Sequence, residues 1–85
     1  MKKQFEVKVL AADGTTSTTT TSNLSLGEAQ RLVGGYVELV RCASGAALVN
    51  EDGLRLGLPL NAAASQLVGR PLVGAVVVLP NKCGW

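Results

Sequence analysis

Six aspartates and glutamates, eight lysines and arginines and two cysteines make up the charged and thiol inventory of this chain, and histidine is absent. Without an imidazole, Ser-His-Asp triads, Cys-His pairs and His-ligated metal sites are excluded. The nearest approach to an acid-base or metal-binding group is Glu38 with Glu51 and Asp52. These fall on a strand and on the turn beyond its neighbour in one expected hairpin, so they could approach. Glu51 and Asp52, however, belong to Asn50-Glu51-Asp52-Gly53, a turn by residue type. Asn, Asp and Gly there supply side-chain-to-backbone bonds and positive φ. A calcium loop needs ligands at alternate positions with glycine sixth, which four residues cannot provide. No catalytic residue, metal or cofactor is expected.

Other groups could bind rather than react. Gly34-Gly35 has the composition of a phosphate cradle, but a cradle leads into a helix N-terminus, and these glycines leave a helix. Backbone amides near Gly34, Gly35 and Asn61, together with Arg41, Arg55 or Arg70, form the set that would meet a nucleotide-like ligand. Apart from Lys2-Lys3 the cations are scattered, and the net charge is only +2. Direct nucleic-acid binding is therefore not expected. Cys42 follows Arg41 but has no base to activate it, and it reads as a small core or sheet residue. Cys42 and Cys83 fit no disulfide framework spacing, and free thiols are expected of an intracellular chain. Tyr36 and Trp85 combine apolar area with one donor each, as contact-surface residues do. Core packing is the ordinary reading of Tyr36.

The elements that must carry these residues follow from periodicity. Gln4 to Leu10 alternates, with Phe5, Val7 and Val9 on one face, and predicts a half-buried strand. Asp13-Gly14 predicts a tight hairpin turn. Thr15 to Ser22 then reads as an exposed edge strand rather than a linker, because threonine is β-branched and stiff. Thr18 and Thr20 on it are candidate partner contacts. Ser25-Leu26-Gly27-Glu28 is a capping box. Leu26, Ala29, Leu32 and Val33 recur behind it at helical spacing, and Gly34 suits a left-handed cap. Tyr36 to Arg41 and Ala46 to Val49 read as paired strands, and Leu54 to Leu58 as an irregular apolar segment before Pro59. Asn61 is placed to cap a second helix over Ala62 to Val68, ended by Gly69. Pro71 to Leu79 is apolar on both faces, which marks a strand inside a sheet covered on both sides.

The expected architecture is a single α+β domain over residues 1–85, in the order β-β-α-β-β-α-β. Its sheet is mostly antiparallel, with two short helices. Residues 4–22 form the N-terminal hairpin, 24–79 the core and 80–85 a tail. At 85 residues with only three aromatics, the core must come from Val, Leu and Ala, and so small a domain is marginal. Self-association as a homo-oligomer is accordingly expected as an option. No apolar run approaches the ~20 residues of a membrane span. The Lys-rich start has no apolar segment behind it. A cytoplasmic protein with no membrane association is expected.

Leu32-Val33-Gly34-Gly35-Tyr36-Val37-Glu38, Val49-Asn50-Glu51-Asp52-Gly53 and Gly57-Leu58-Pro59-Leu60-Asn61, ending in Val73 to Leu79, form an ordered set. In that order the chain resembles a family of small proteins of bacteriophages, prophages and plasmids that is catalogued as a domain of unknown function. The resemblance spans roughly residues 24 to 79 and rests on Gly34, Gly35, Tyr36, Glu38, Asn50, Glu51, Gly53, Pro59 and Asn61. The threonine arm and the Cys83-Gly84-Trp85 tail lie outside it. It implies a mobile-element origin and supplies no catalytic residue. Together with the missing catalytic inventory it favours a non-enzymatic phage accessory protein acting in the host cytoplasm. Such a protein would bind a host macromolecule, expected to be a protein such as transcription machinery or a defence enzyme, and modulate or inhibit it by surface occlusion. Tyr36, Glu38, Arg41, Thr18, Thr20 and Trp85 are the candidate contacts. The alternative is a homo-oligomer that sequesters a small nucleotide signal at Gly34, Gly35, Arg55, Asn61 and Arg70.

Overall fold

The computed structural model describes residues 4–21, 24–42 and 45–80. Strands β1 (Phe5–Leu10), β2 (Thr16–Thr21), β3 (Val37–Cys42), β4 (Gly45–Asn50) and β5 (Val76–Pro80) form one sheet. Its order is β2-β1-β5-β4-β3, and every neighbouring pair is antiparallel. Helix α1 (Leu26–Val33) falls between β2 and β3, and α2 (Ala62–Val68) between β4 and β5. This is the α+β architecture and the element order expected from the sequence.

The last strand occupies the centre because its side chains are apolar on both faces, and two separate cores form around it. Val77 and Leu79 pack with Val7, Leu48, Leu24 and the α1 residues Ala29 and Val33. Val76 packs on the opposite face with Val40, Ala47, Val49, Leu72 and the α2 residue Ala64. The sheet is thus the middle layer between two helices, and all of β4 is buried. Ala29, Ala47 and Ala64 have no exposed surface, so short side chains let the layers close. Leu26, on the apolar stripe of α1 by spacing, is more than half exposed.

Local chemistry sets the boundaries. The Ser25 hydroxyl accepts from the Glu28 amide (3.2 Å) at the start of α1. At its end Gly34 adopts φ +81°, and the Gly34 and Gly35 amides both donate to the Gln30 carbonyl (2.9 and 3.0 Å). In the first hairpin the Gly14 amide donates to the Ala11 carbonyl (3.0 Å) and the Ala11 amide to the Thr15 carbonyl (2.8 Å). Ala12, Asp13 and Gly14 therefore form the loop, instead of the two-residue turn that Asp13-Gly14 suggested. Among the described residues none but glycine takes positive φ, so Gly14 alone supplies it in this loop, as in a turn followed by a bulge. The final strand is shorter than its apolar run. Gly74 at φ +74° breaks it, and Val73 makes only an isolated bridge to Leu60.

Candidate functional site

The signature residues come together, and they do so to hold the fold. Asn61 is 1% exposed. Its Nδ2 donates to the Leu10 carbonyl (2.7 Å) and to the Gly74 carbonyl (2.9 Å), while its Oδ1 accepts from the Ala64 amide (3.1 Å). One side chain thereby caps α2 and ties the end of β1 to the turn before β5. Asn50 acts similarly on the other side of the sheet. Its Nδ2 donates to the Val33 carbonyl at the end of α1 (3.2 Å), and its Oδ1 accepts from the Asp52 amide (2.8 Å). A Cβ on Gly35 would lie 3.0 Å from that Nδ2, so this glycine is what lets Asn50 close on the helix. Gly53 is equally confined, since a Cβ there would meet Val73 Cγ2 at 2.8 Å.

The ligand set read from the sequence is not assembled. Gly34 and Gly35 cap α1, and both amides are engaged. Both Nδ2 hydrogens of Asn61 are also engaged. Arg55 pairs with Asp52 at 3.3 Å, largely in solvent, where such a pair contributes little. Only Arg70 remains in a concave setting.

That setting is a shallow cleft of about 70 Å³, lined by Glu38, Val49, Asn50, Glu51, Leu54, Arg70, Pro71, Leu72 and Val73. The β3–β4 register explains its composition. Glu38 lies opposite Val49, and the Glu51 amide donates to the Tyr36 carbonyl (2.8 Å), which extends the ladder one step. Glu38 and Tyr36 alternate onto the face of Val40, the α2 side, while Arg41 falls on the other face. Tyr36, Glu38 and Glu51 therefore border one another beside the connection from α2 to β5, which brings Arg70 and Pro71. Asp52 is drawn away to Arg55. Among the described residues no three carboxylates or thiols gather where a metal could bind.

In and beside the cleft, charged and apolar side chains are both exposed. Leu54 is 84% exposed and Tyr36 68%, so Tyr36 is not the core residue its type suggested. Glu38, Glu51 and Arg70 are exposed, and none of them is in an ion pair among the described residues. Leu54 and Pro71 were missed from sequence. The available signal was a leucine-bearing segment with neither helical nor strand period, which no element could bury. Thr18 and Thr20 lie on β2, at the opposite edge of the sheet from β3, so the expected contacts form two separate surfaces. Trp85 and Cys83 lie outside the described residues, and Cys42 is half-buried on β3.

These features define a small α+β domain whose polar motif is built into its scaffold, with an open mixed-charge cleft beside it. The chain belongs to the family described as a domain of unknown function, DUF3846, whose family model matches residues 7–84. Compared with curated proteins and with solved structures, the chain has no match. Among the described residues no helix is long and apolar enough to cross a membrane.

Proposed function

We propose that this domain is a non-enzymatic accessory protein of phage type, which binds a host protein and inhibits it by covering its surface. The cleft face is the contact, and transcription machinery or a defence enzyme is the class of target. The observation that carries this reading is the exposure of Leu54 in a cleft that it lines with Glu38, Glu51 and Arg70, and of Tyr36, which the ladder places opposite Glu51. Tyrosine and arginine are the residue types that dominate binding energy at protein contacts. At about 70 Å³ the cleft is far below the roughly 300–1,000 Å³ of small-molecule pockets, which favours a partner's side chain over a nucleotide.

The test is affinity capture from host lysate with two baits, the natural chain and a Tyr36→Ala/Leu54→Ala variant. A protein retained by the first and lost from the second supports the reading, provided the variant melts as the natural chain does. Equal retention by both baits, or none by either, sinks it.

A further inference from the structure

The second surface is the outer edge of β2, and it has a partner available in the chain itself. Thr16 to Thr20 are exposed on both faces, and neither of the two cores under the helices includes a β2 residue. Natural sheet edges are ordinarily blunted by lysine, proline, a bulge or an inward charge. The β2 sequence Thr-Ser-Thr-Thr-Thr-Thr has neither charge nor proline. Its register against β1 runs unbroken from Leu10↔Thr16 to Phe5↔Thr21. Among the described residues no strand lies beyond it.

The outward groups can be assigned from the hairpin. The Ala11 amide donates to Thr15, so hydrogen-bonded pairs recur at Val9↔Ser17 and Val7↔Thr19, by the alternation of antiparallel ladders. Thr16, Thr18 and Thr20 consequently turn their main-chain N–H and C=O away from β1. A two-fold axis perpendicular to a sheet keeps side chains on matching faces only when paired residue numbers sum to an even number. The outward groups all sit at even positions, so the geometry satisfies that condition.

We propose that β2 docks antiparallel on β2 of a second copy, with the axis at Thr18, to give a continuous sheet through both copies. Thr16 then faces the second copy's Thr20, Ser17 faces Thr19, and Thr18 faces Thr18. Every cross-strand pair joins hydroxyl side chains, most of them β-branched, and such pairs are favourable in sheets. This composition also selects the occupant. In strand addition the main chain supplies affinity and side-chain pockets supply specificity. An all-hydroxyl edge offers no pocket for a foreign side chain, but it matches itself in full. The contact is short, at the small end of specific interfaces, so the dimer is weak and concentration-dependent. It leaves the β3 edges and their clefts at the two far ends.

The experiment is sedimentation equilibrium of the full chain from micromolar to millimolar concentration. The mass should rise from 8.8 kDa toward twice that value, with concentration-dependent amide shifts at Thr16, Thr18 and Thr20. A Thr18→Glu variant gains Lys8 as its cross-strand neighbour within the chain, but opposes two carboxylates across the axis. It should fold and associate about two- to fivefold more weakly. Thr18→Pro removes an outward donor without a bond to β1, and should be monomeric. Mixing Thr18→Glu with Thr18→Lys should restore association as a heterodimer. A monomer at millimolar concentration overturns the proposal. So does a dimer unaffected by both Thr18→Glu and Thr18→Pro, or a charge-swapped mixture that fails to pair.

Discussion

Replacing Asn61 by alanine separates a scaffold residue from a ligand-binding one. The change removes the cap of α2, which costs about 1 kcal/mol. It also strips the donor from the Gly74 carbonyl, which is buried, and from the Leu10 carbonyl, which is half-buried. An acceptor left unsatisfied in the interior costs about 1–3 kcal/mol, and the half-buried one less because water can reach it. The sum is about 3–4 kcal/mol. A chain of this size has roughly 4–13 kcal/mol in total, so the loss is a large fraction. In a domain under 100 residues it lowers Tm by roughly 15–25 °C. Urea unfolding followed by circular dichroism reads it directly, as a fall in midpoint at unchanged slope.

Two further substitutions divide the effect. Asn61→Ser keeps a capping oxygen and loses the bridge, and should recover about 1 kcal/mol of the loss. Asn61→Asp also keeps the cap but aims a carboxylate at two carbonyl oxygens. Burial and the two carbonyls facing its second oxygen, which has no donor there, outweigh the cap bond from the Ala64 amide and disfavour the charged form, so its folded pKa rises above the unfolded value of about 3.9. The destabilisation is then complete above the folded pKa and relieved as pH falls toward the unfolded one. Stability of this variant relative to the natural chain should therefore improve on acidification. If Asn61→Ala costs no more than a lost cap, about 1 kcal/mol, the bridging role is refuted. Asn61 then becomes a candidate binding group again.

Other perturbations follow from the same geometry. Gly74→Ala places a Cβ 2.7 Å from Leu58 Cδ1 at φ +74°. It should cost about 2–4 kcal/mol from overpacking and left-handed strain together, and adding Leu58→Ala should relieve only the overpacking. Thermal melts of the two single variants and the double variant test this. Tyr36→Ala and Leu54→Ala, both at exposed positions, should change stability by no more than about 0.5 kcal/mol, as urea titration would show. Hydrogen bonds from the Thr15 hydroxyl and then from its amide (2.8 Å) hold the Asp13 carboxyl below its ordinary pKa. That stabilisation is present above the ordinary value and lost as pH falls through the depressed one. Acid unfolding of Asp13→Asn should lack this contribution.

Sequence made the elements legible wherever a local rule decided them. Ser25, Gly34, Asn61 and Gly69 cap the helices as their types demand, because capping is settled by residues a few positions apart. The threonine arm is an edge strand because β-branching acts within the residue itself. The apolar run before the tail is central because only a doubly covered strand can bury both faces. What sequence left hidden depended on long-range register. Nothing local puts Tyr36 in solvent. Its exposure follows from the ladder pairing it with Glu51, just past the buried stretch of β4. Nor does spacing reveal that Glu38 and Arg70, thirty-two positions apart by their numbers, share a cleft. The two-residue turn does not form for a local reason, since it would require positive φ at Asp13 as well, and in this loop Gly14 alone adopts it.

The ordered motif that most suggests function is therefore the least available for it. Asn50 and Asn61 spend their donors on carbonyls of other elements, Gly35 and Gly53 make room for Asn50 and Val73, and Gly34 closes α1. Residues fixed in this way tolerate little change, because each holds a buried polar group that would otherwise be unsatisfied. The side chains carried between them (Tyr36, Glu38, Glu51, Leu54 and Arg70) are exposed and have no such duty. A scaffold of this kind can hold its shape while its exposed face is altered to suit different partners. The expected signature is an asymmetry under saturating mutagenesis. Substitutions at Asn50 and Asn61 should abolish folding and binding together, whereas substitutions on the cleft face should abolish binding alone. Binding loss confined to Asn50 and Asn61 variants would return the function to the motif and remove the cleft from consideration.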